Sequence, residues 1–263
     1  MHDNQITHED DVYRLCEIVK EHPSIDALDL DGCCGERING YNILCSIMTS
    51  GESKLKRIDF TSNDISTGGS TFISDFLATN PILENLILFD NQLDDKDAIS
   101  IASALRHNTN LQCINLMENL ITYAGCKELR KAVFDDSSLN SAADSNHTCV
   151  IYIGDEELEC GINSDTGSDN LFGPKAFRGK KIYSILSSRN RECSNVHYLD
   201  NVPVGFLPDM FGAIQQYSEY HLKDNSPSQD DNDVNALSIM FGIVRRWDEG
   251  FSVYKSLSTS NGY

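Results

Sequence analysis

The chain has 263 residues, with 40 Asp or Glu against 21 Lys or Arg and a formal net charge of −19. That surplus of acid argues against nucleic acid as a partner, because phosphates are neutralised by Lys and Arg, and against docking on an anionic membrane. No apolar run approaches the roughly 20 residues of a membrane span, while an apolar fraction of 40% can bury the core of one elongated domain or two small ones. Nine cysteines, scattered and without a C-x-x-C pair, suit reduced thiols in a cytoplasmic or nuclear protein better than a disulfide framework. The polar start "MHDNQITHEDDVYRL" has no secretory signal. High net charge favours a soluble monomer.

The first predicted element is a helix within "ITHEDDVYRLCEIVKEHPS". Val12, Leu15, Cys16 and Val19 give it one apolar stripe, and Pro23 stops it. Thr7 with Asp10 three residues on reads as a capping box in which Asp replaces the usual Glu or Gln. Next comes a repeat. "LKRIDFTSNDI" begins at Leu55, "LENLILFDNQL" at Leu83 and "LQCINLMENLI" at Leu111. The spacings are 83 − 55 = 28 and 111 − 83 = 28. Each copy reads L-x-x-φ-x-φ-x-x-N-x-φ, where φ is apolar, with Asn63, Asn91 and Asn119 in the asparagine slot. An earlier copy, "IDALDLDGC", starts at Ile25 and places Cys33 in that slot. A faded fifth copy falls in "SLNSAADSN", with Asn146 as its slot residue.

Each copy opens with apolar alternation, as a strand with one inward face requires, and continues with helical spacing. Phe72, Ile73, Phe76 and Leu77 form one such helical face. Ala98, Ile101, Ala104 and Leu105 form the next, and Leu129, Ala132 and Val133 a third. One copy cannot bury its own face, so neighbours must stack. The slot residues Cys33, Asn63, Asn91 and Asn119 read as a structural ladder. A buried amide must be hydrogen-bonded, and a column of them can satisfy backbone groups of adjacent turns.

The pattern resembles a leucine-rich repeat, and its length and its Asn-or-Cys slot resemble the ribonuclease-inhibitor-like subclass. The resemblance implies an α/β fold: a short, right-handed β/α solenoid of four to five repeats, with parallel strands on the concave face and helices on the convex face. The expected division is residues 1–153 for the solenoid with its helical cap, and 154–263 for a mainly helical C-terminal extension that closes the open end.

On such strands the residues between the core leucines point to the concave surface. They form three columns: Ala27, Arg57, Asn85, Cys113; then Asp29, Asp59, Ile87, Asn115; then Asp31, Thr61, Phe89, Met117. The N-terminal half is acidic, whereas the C-terminal half gathers Ile87, Phe89 and Met117. An apolar patch beside a charged one marks an interaction surface. The candidate partner-binding residues are therefore Asp29, Asp31, Arg57, Asp59, Asn85, Ile87, Phe89, Asn115 and Met117.

Beyond the repeats, residues 154–173 read as a polar, Gly-rich linker. Pro174 to Arg191 carries six Lys or Arg and no acid, and reads as a helix with a narrow apolar face (Ile182, Ile185, Leu186) and a solvated basic one. A second helix should follow with Pro208 at its first position. Residues 223–233 form a polar, mostly acidic run. A last amphipathic stretch carries Leu237, Met240, Phe241, Val244, Trp247, Phe251 and Tyr254.

No phosphate loop, HExxH or GxSxG occurs. Asp144, Ser145 and His147 lie together in "ADSNHT", but real triads assemble from distant segments, and the stretch reads as a turn after the fifth strand. His147, Cys149, Cys160, Cys193 and His197 match no zinc spacing. The expectation is a non-catalytic module that holds a protein partner on its concave face, with no cofactor and no metal. The alternatives are a GTPase-regulating protein similar to the Ran GTPase-activating protein, and an enzyme or metal site in the C-terminal half.

Overall fold

The computed structural model describes residues 6–22, 24–34, 39–49, 54–154, 174–192, 202–223, 239–240 and 243–244. The chain forms two compact units: Met1–Asp135 with Ser145–Pro174, and Asp136–Asp144 with Lys175–Tyr263.

The first unit is a β/α solenoid. In chain order it runs α1 (Glu9–Glu21), β1 (Ala27–Asp29), α2 (Gly40–Thr49), β2 (Arg57–Asp59), α3 (Phe72–Ala78), β3 (Asn85–Ile87), α4 (Asp95–Leu105), β4 (Cys113–Asn115), α5 (Tyr123–Val133) and, after an excursion through the second unit, β5 (Val150–Tyr152). The five strands pair in parallel in chain order. Their central residues fall in one register, Leu28, Ile58, Leu86, Ile114 and Ile151. The last four of these are buried, as are Leu55, Leu83 and Leu111, and they meet the inward faces of the helices in one continuous core. The helical faces read from spacing lie there: Ala98, Ile101, Ala104 and Leu105 on α4, and Leu129, Ala132 and Val133 on α5, are all buried.

The slot asparagines bond along the stack. Asn91 Oδ1 accepts from Asn63 N at 3.2 Å and Ile65 N at 2.9 Å, and its Nδ2 donates to Phe60 O and Phe89 O. Asn63 does the same one repeat earlier, accepting from Cys34 N at 2.8 Å and donating to Leu30 O and Thr61 O. Asn119 accepts from Leu93 N at 2.9 Å and donates to Leu88 O. Cys33 is buried, and its thiol points at Asp31 O, 3.3 Å away.

A second asparagine ladder closes the opposite ends of the strands. Asn108 accepts from Leu111 N at 2.8 Å and donates to Leu77 O of the preceding repeat. Asn146 accepts from Cys149 N at 2.7 Å and donates to Leu105 O and Asn108 O. Each amide thus adds a donor to a helix-terminal carbonyl that already accepts one backbone N–H, and accepts from a donor at the next strand's start.

Three local expectations are corrected. Asn146 is not a slot residue after a fifth strand: Leu139–Ala143 is a short helix, α6, and Asn146 lies on the turn that leads into β5. "ADSNHT" is that same turn, before the strand rather than after it. At α1 the cap residue is His8, without a side-chain cap bond, so Thr7 and Asp10 form no capping box. A reciprocal box exists instead at α4, where Asp94 accepts from Asp97 N and Asp97 accepts from Asp94 N.

The second unit contains α6, most of α7 (Pro174–Glu192) and α8 (Leu207–Lys223), the last preceded by a 3-10 turn at Val204–Phe206. Pro208 is therefore the second residue of its helix, not the first. Leu139, Ala142, Ile182, Ile185, Leu186, Met210 and Ile214 are buried. The basic run is not simply a solvated face. Lys181 is buried at 1% exposure. Arg178 pairs with Asp209 at 2.8 Å and lies 5.2 Å over the Phe206 ring, and Arg189 donates to Asp136 O and Ser137 O. The linker at 155–173, the acidic run beyond Lys223, and the last amphipathic stretch with Trp247 lie outside the described residues, save Ile239, Met240, Ile243 and Val244. Among the described residues no helix is long and apolar enough to cross a membrane.

Candidate interaction surface

The strands are three residues long, so each offers two outward side chains, and the loop that follows adds a third. Register fixes the columns. Ala27, Arg57, Asn85, Cys113 and Val150 lie in one, and Asp29, Asp59, Ile87, Asn115 and Tyr152 in the next. Asp31, Thr61, Phe89 and Met117 follow. Their loops are tied by Gly32 N to Thr61 O, Ser62 N to Phe89 O and Asp90 N to Met117 O, each 2.9–3.0 Å.

At the β1 end the surface is acidic, with Asp29 exposed and Asp31 half-buried. Arg57 is exposed but bound to Asp59 at 2.8 Å. Asp59 also accepts the Thr61 hydroxyl at 2.7 Å and is itself buried. This pair is satisfied within the face, which leaves Asp29 and Asp31 as the carboxylates open to a ligand there. Ile87, Phe89 and Met117 are half-buried on adjacent strands and loops. Tyr152, 43% exposed, extends the second column past Asn115, and Gly154 opens beside Met117. The repeat pattern does not single out Tyr152, because the copy with Asn146 in the slot sets the fifth strand ahead of it; the alternation of "CVIYI" from Cys149 is its signal.

Two amides sit in the same area. Asn115 Oδ1 accepts Met117 N at 3.0 Å. Asn85 is half-buried, and among the described residues its side-chain amide makes no hydrogen bond. Burial pushes the Cys113 thiol in the first column above its ordinary value, against the opposing pull of Arg57, and raises Cys34 to about 11. Neither is an activated thiolate. Of the five candidate metal ligands, Cys160, Cys193 and His197 lie outside the described residues, and the described ones contain no cluster of three or more. The arrangement offers apolar contact, carboxylates and amides.

A family profile described as "Leucine Rich repeat" matches residues 79–102 and 107–129. Among curated proteins, the chain is similar to the mouse NACHT, LRR and PYD domains-containing protein 4C, 23% identical over 156 residues. That match covers 57% of this chain and 16% of the relative. It is similar to the mouse protein 4E of the same series, 22% identical over the same shares. It also resembles the human NACHT, LRR and PYD domains-containing protein 13, 26% identical over 46% of this chain and 11% of the relative. The chain therefore spans about a sixth or less of the length of these relatives.

Proposed function

Because the chain is a leucine-rich repeat protein, we propose that it works as a protein-interaction module that grips a partner on its concave face. A repeat stack supplies a scaffold, and function must be argued from the site. The observation that carries the reading is the row of Ile87, Phe89, Met117 and Tyr152 on one face. None of these four is among the fully buried core residues. The 28-residue spacing and the Cys33, Asn63, Asn91, Asn119 slot also favour the ribonuclease-inhibitor-like subclass. The names of the three relatives include an LRR domain, which fits a modular binding role.

The test is Phe89→Asp. Phe89 is half-buried, so the change should cost about 1–2 kcal/mol, roughly half the value of a fully buried phenyl. Affinity purification compared by mass spectrometry should then lose the partner that the parent chain captures. Unchanged capture by the folded variant, or a urea midpoint that collapses because a charge has entered a sealed seam, would refute the concave-face reading.

A further inference from the structure

Two carboxylates stand beside the apolar patch against the preference of the backbone. Phe89 is followed by Asp90 and Met117 by Glu118, both exposed and both at positive φ, 53° and 55°. The same place in the first repeat is Gly32, φ 57°, and its N–H makes the same inter-repeat bond, 2.9 Å to Thr61 O. The second repeat puts Ser62 there, φ 54°, with the same bond to Phe89 O, so the left-handed φ belongs to the turn in each repeat, although that region suits glycine better than other L-residues. Asp90 has a local compensation, since its carboxylate accepts the Ser62 hydroxyl at 2.8 Å. Glu118 has none: among the described residues nothing bonds or pairs with its carboxylate. Glu118 is thus an exposed carboxylate with no partner among the described residues, directly after Met117 of the apolar patch.

The charge balance of the face agrees. Arg57, the cation of the outward columns, is tied to Asp59, while Asp90 and Glu118 directly follow Phe89 and Met117, and Asp29 and Asp31 add acid at the β1 end of the same face. We propose that the occupant of this patch is a peptide segment with an apolar side chain flanked by Lys or Arg. The apolar group seats on Phe89 and Met117, and the cation pairs with Glu118 and Asp90. The idle Asn85 amide offers one donor and one acceptor to the segment's backbone. The proposal rests on the concave-face reading and specifies its partner.

The probe is a random 12-residue peptide library displayed on phage, selected on the full chain. The best sequence is then made with a fluorophore and titrated by anisotropy against the parent chain, Phe89→Asp and Glu118→Gly. Enriched peptides should pair an apolar residue with Lys or Arg. Phe89→Asp should abolish binding. Glu118→Gly should weaken it about three- to fivefold, the range of one exposed ion pair, and the loss should shrink at high salt. The same Glu118→Gly variant should melt at or above the parent's urea midpoint, because strain is relieved.

Three results would overturn the proposal. Peptides that lack basic residues, sensitive to Phe89→Asp but indifferent to Glu118→Gly, would sink it and leave the concave-face reading standing. Failure to enrich any sequence sensitive to Phe89→Asp would count against both. A lowered midpoint for Glu118→Gly would show that Glu118 serves the fold.

Discussion

Asn91→Ala tests the stack more directly than any core truncation. The side chain is 7% exposed and makes four hydrogen bonds: two accepted from Asn63 N and Ile65 N, two donated to Phe60 O and Phe89 O. Phe89 O keeps another donor, Ser62 N at 3.0 Å. Removal of the amide therefore strands two backbone donors and one acceptor. Each buried orphan costs about 1–3 kcal/mol; the turn lies close enough to the surface for water to reach part of it, which sets the expectation at about 3–4 kcal/mol. With a urea m-value of about 2 kcal/mol/M, the midpoint should fall by roughly 1.5–2 M. The comparison is internal. Asn119→Ala strands one donor, Leu93 N, and the acceptors Leu88 O and Leu116 O; the site is half-buried rather than buried, so the change should cost about 2–3 kcal/mol. Asn85→Ala removes an unengaged amide and should fall within about 0.5 kcal/mol. Urea melts of the three variants should rank Asn91 above Asn119 above Asn85; equal midpoints would refute the ladder argument.

The second ladder predicts that Asn108→Ala, at 1% exposure, destabilises about as much as Asn91→Ala, by about 2–4 kcal/mol in the same assay. Gly125→Ala should cost about 1–3 kcal/mol, because a Cβ there would lie 2.6 Å from Asp95 Oδ1 and 2.9 Å from Ala98 Cβ; a neutral melt would mean that α4 and α5 can part without loss. Asp95 gives a pH prediction. Hydrogen bonds from the Thr122 hydroxyl and then its backbone N–H hold the Asp95 carboxyl below its usual range. A depressed folded-state pKa adds stability above the unfolded value, near 4, and that stability is lost as pH falls through the lower folded value. The deficit of Asp95→Asn in urea should thus be full at pH 7 and shrink toward pH 3; a deficit constant with pH would exclude this carboxylate as its source.

How much of this was legible in the sequence depended on whether a feature repeats. Leu55, Leu83 and Leu111 with Asn63, Asn91 and Asn119 recur at one spacing, so strands β2 to β4 and their register follow from arithmetic. The fifth strand breaks the arithmetic. From Cys113 to its register partner Val150 the chain advances 150 − 113 = 37 residues, because it inserts α6 into the second unit. Asn146 then misleads, since asparagine is used at both ends of these strands. The strand-entry pair reads N-x-x-L at Asn108 and N-x-x-C at Asn146, a signal that the stronger slot pattern masks. The neutralised pair Arg57–Asp59 and the buried Lys181 were not legible. Partner choice among charged side chains depends on distances that spacing alone does not encode. The strain at Glu118 was hidden for a related reason: φ is set by the turn, and no residue type announces it.

The two ladders also bear on why the outward face around β3 to β5 can be apolar. Backbone groups at both strand ends are met by asparagine amides that point into the stack, and the leucines fill the interior. The outward side chains of three-residue strands are left with little share in holding the repeats together. Where such a residue does serve the fold, as Asp59 does, its partners are visible: a guanidinium at 2.8 Å and a hydroxyl at 2.7 Å. Asn85 and Glu118 have no such partners, and Ile87, Phe89 and Met117 keep part of their surface open to water. Solubility alone would favour polar residues at these positions. Three apolar side chains gathered there, beside an unpartnered carboxylate, are what the proposal of a covering partner chain accounts for.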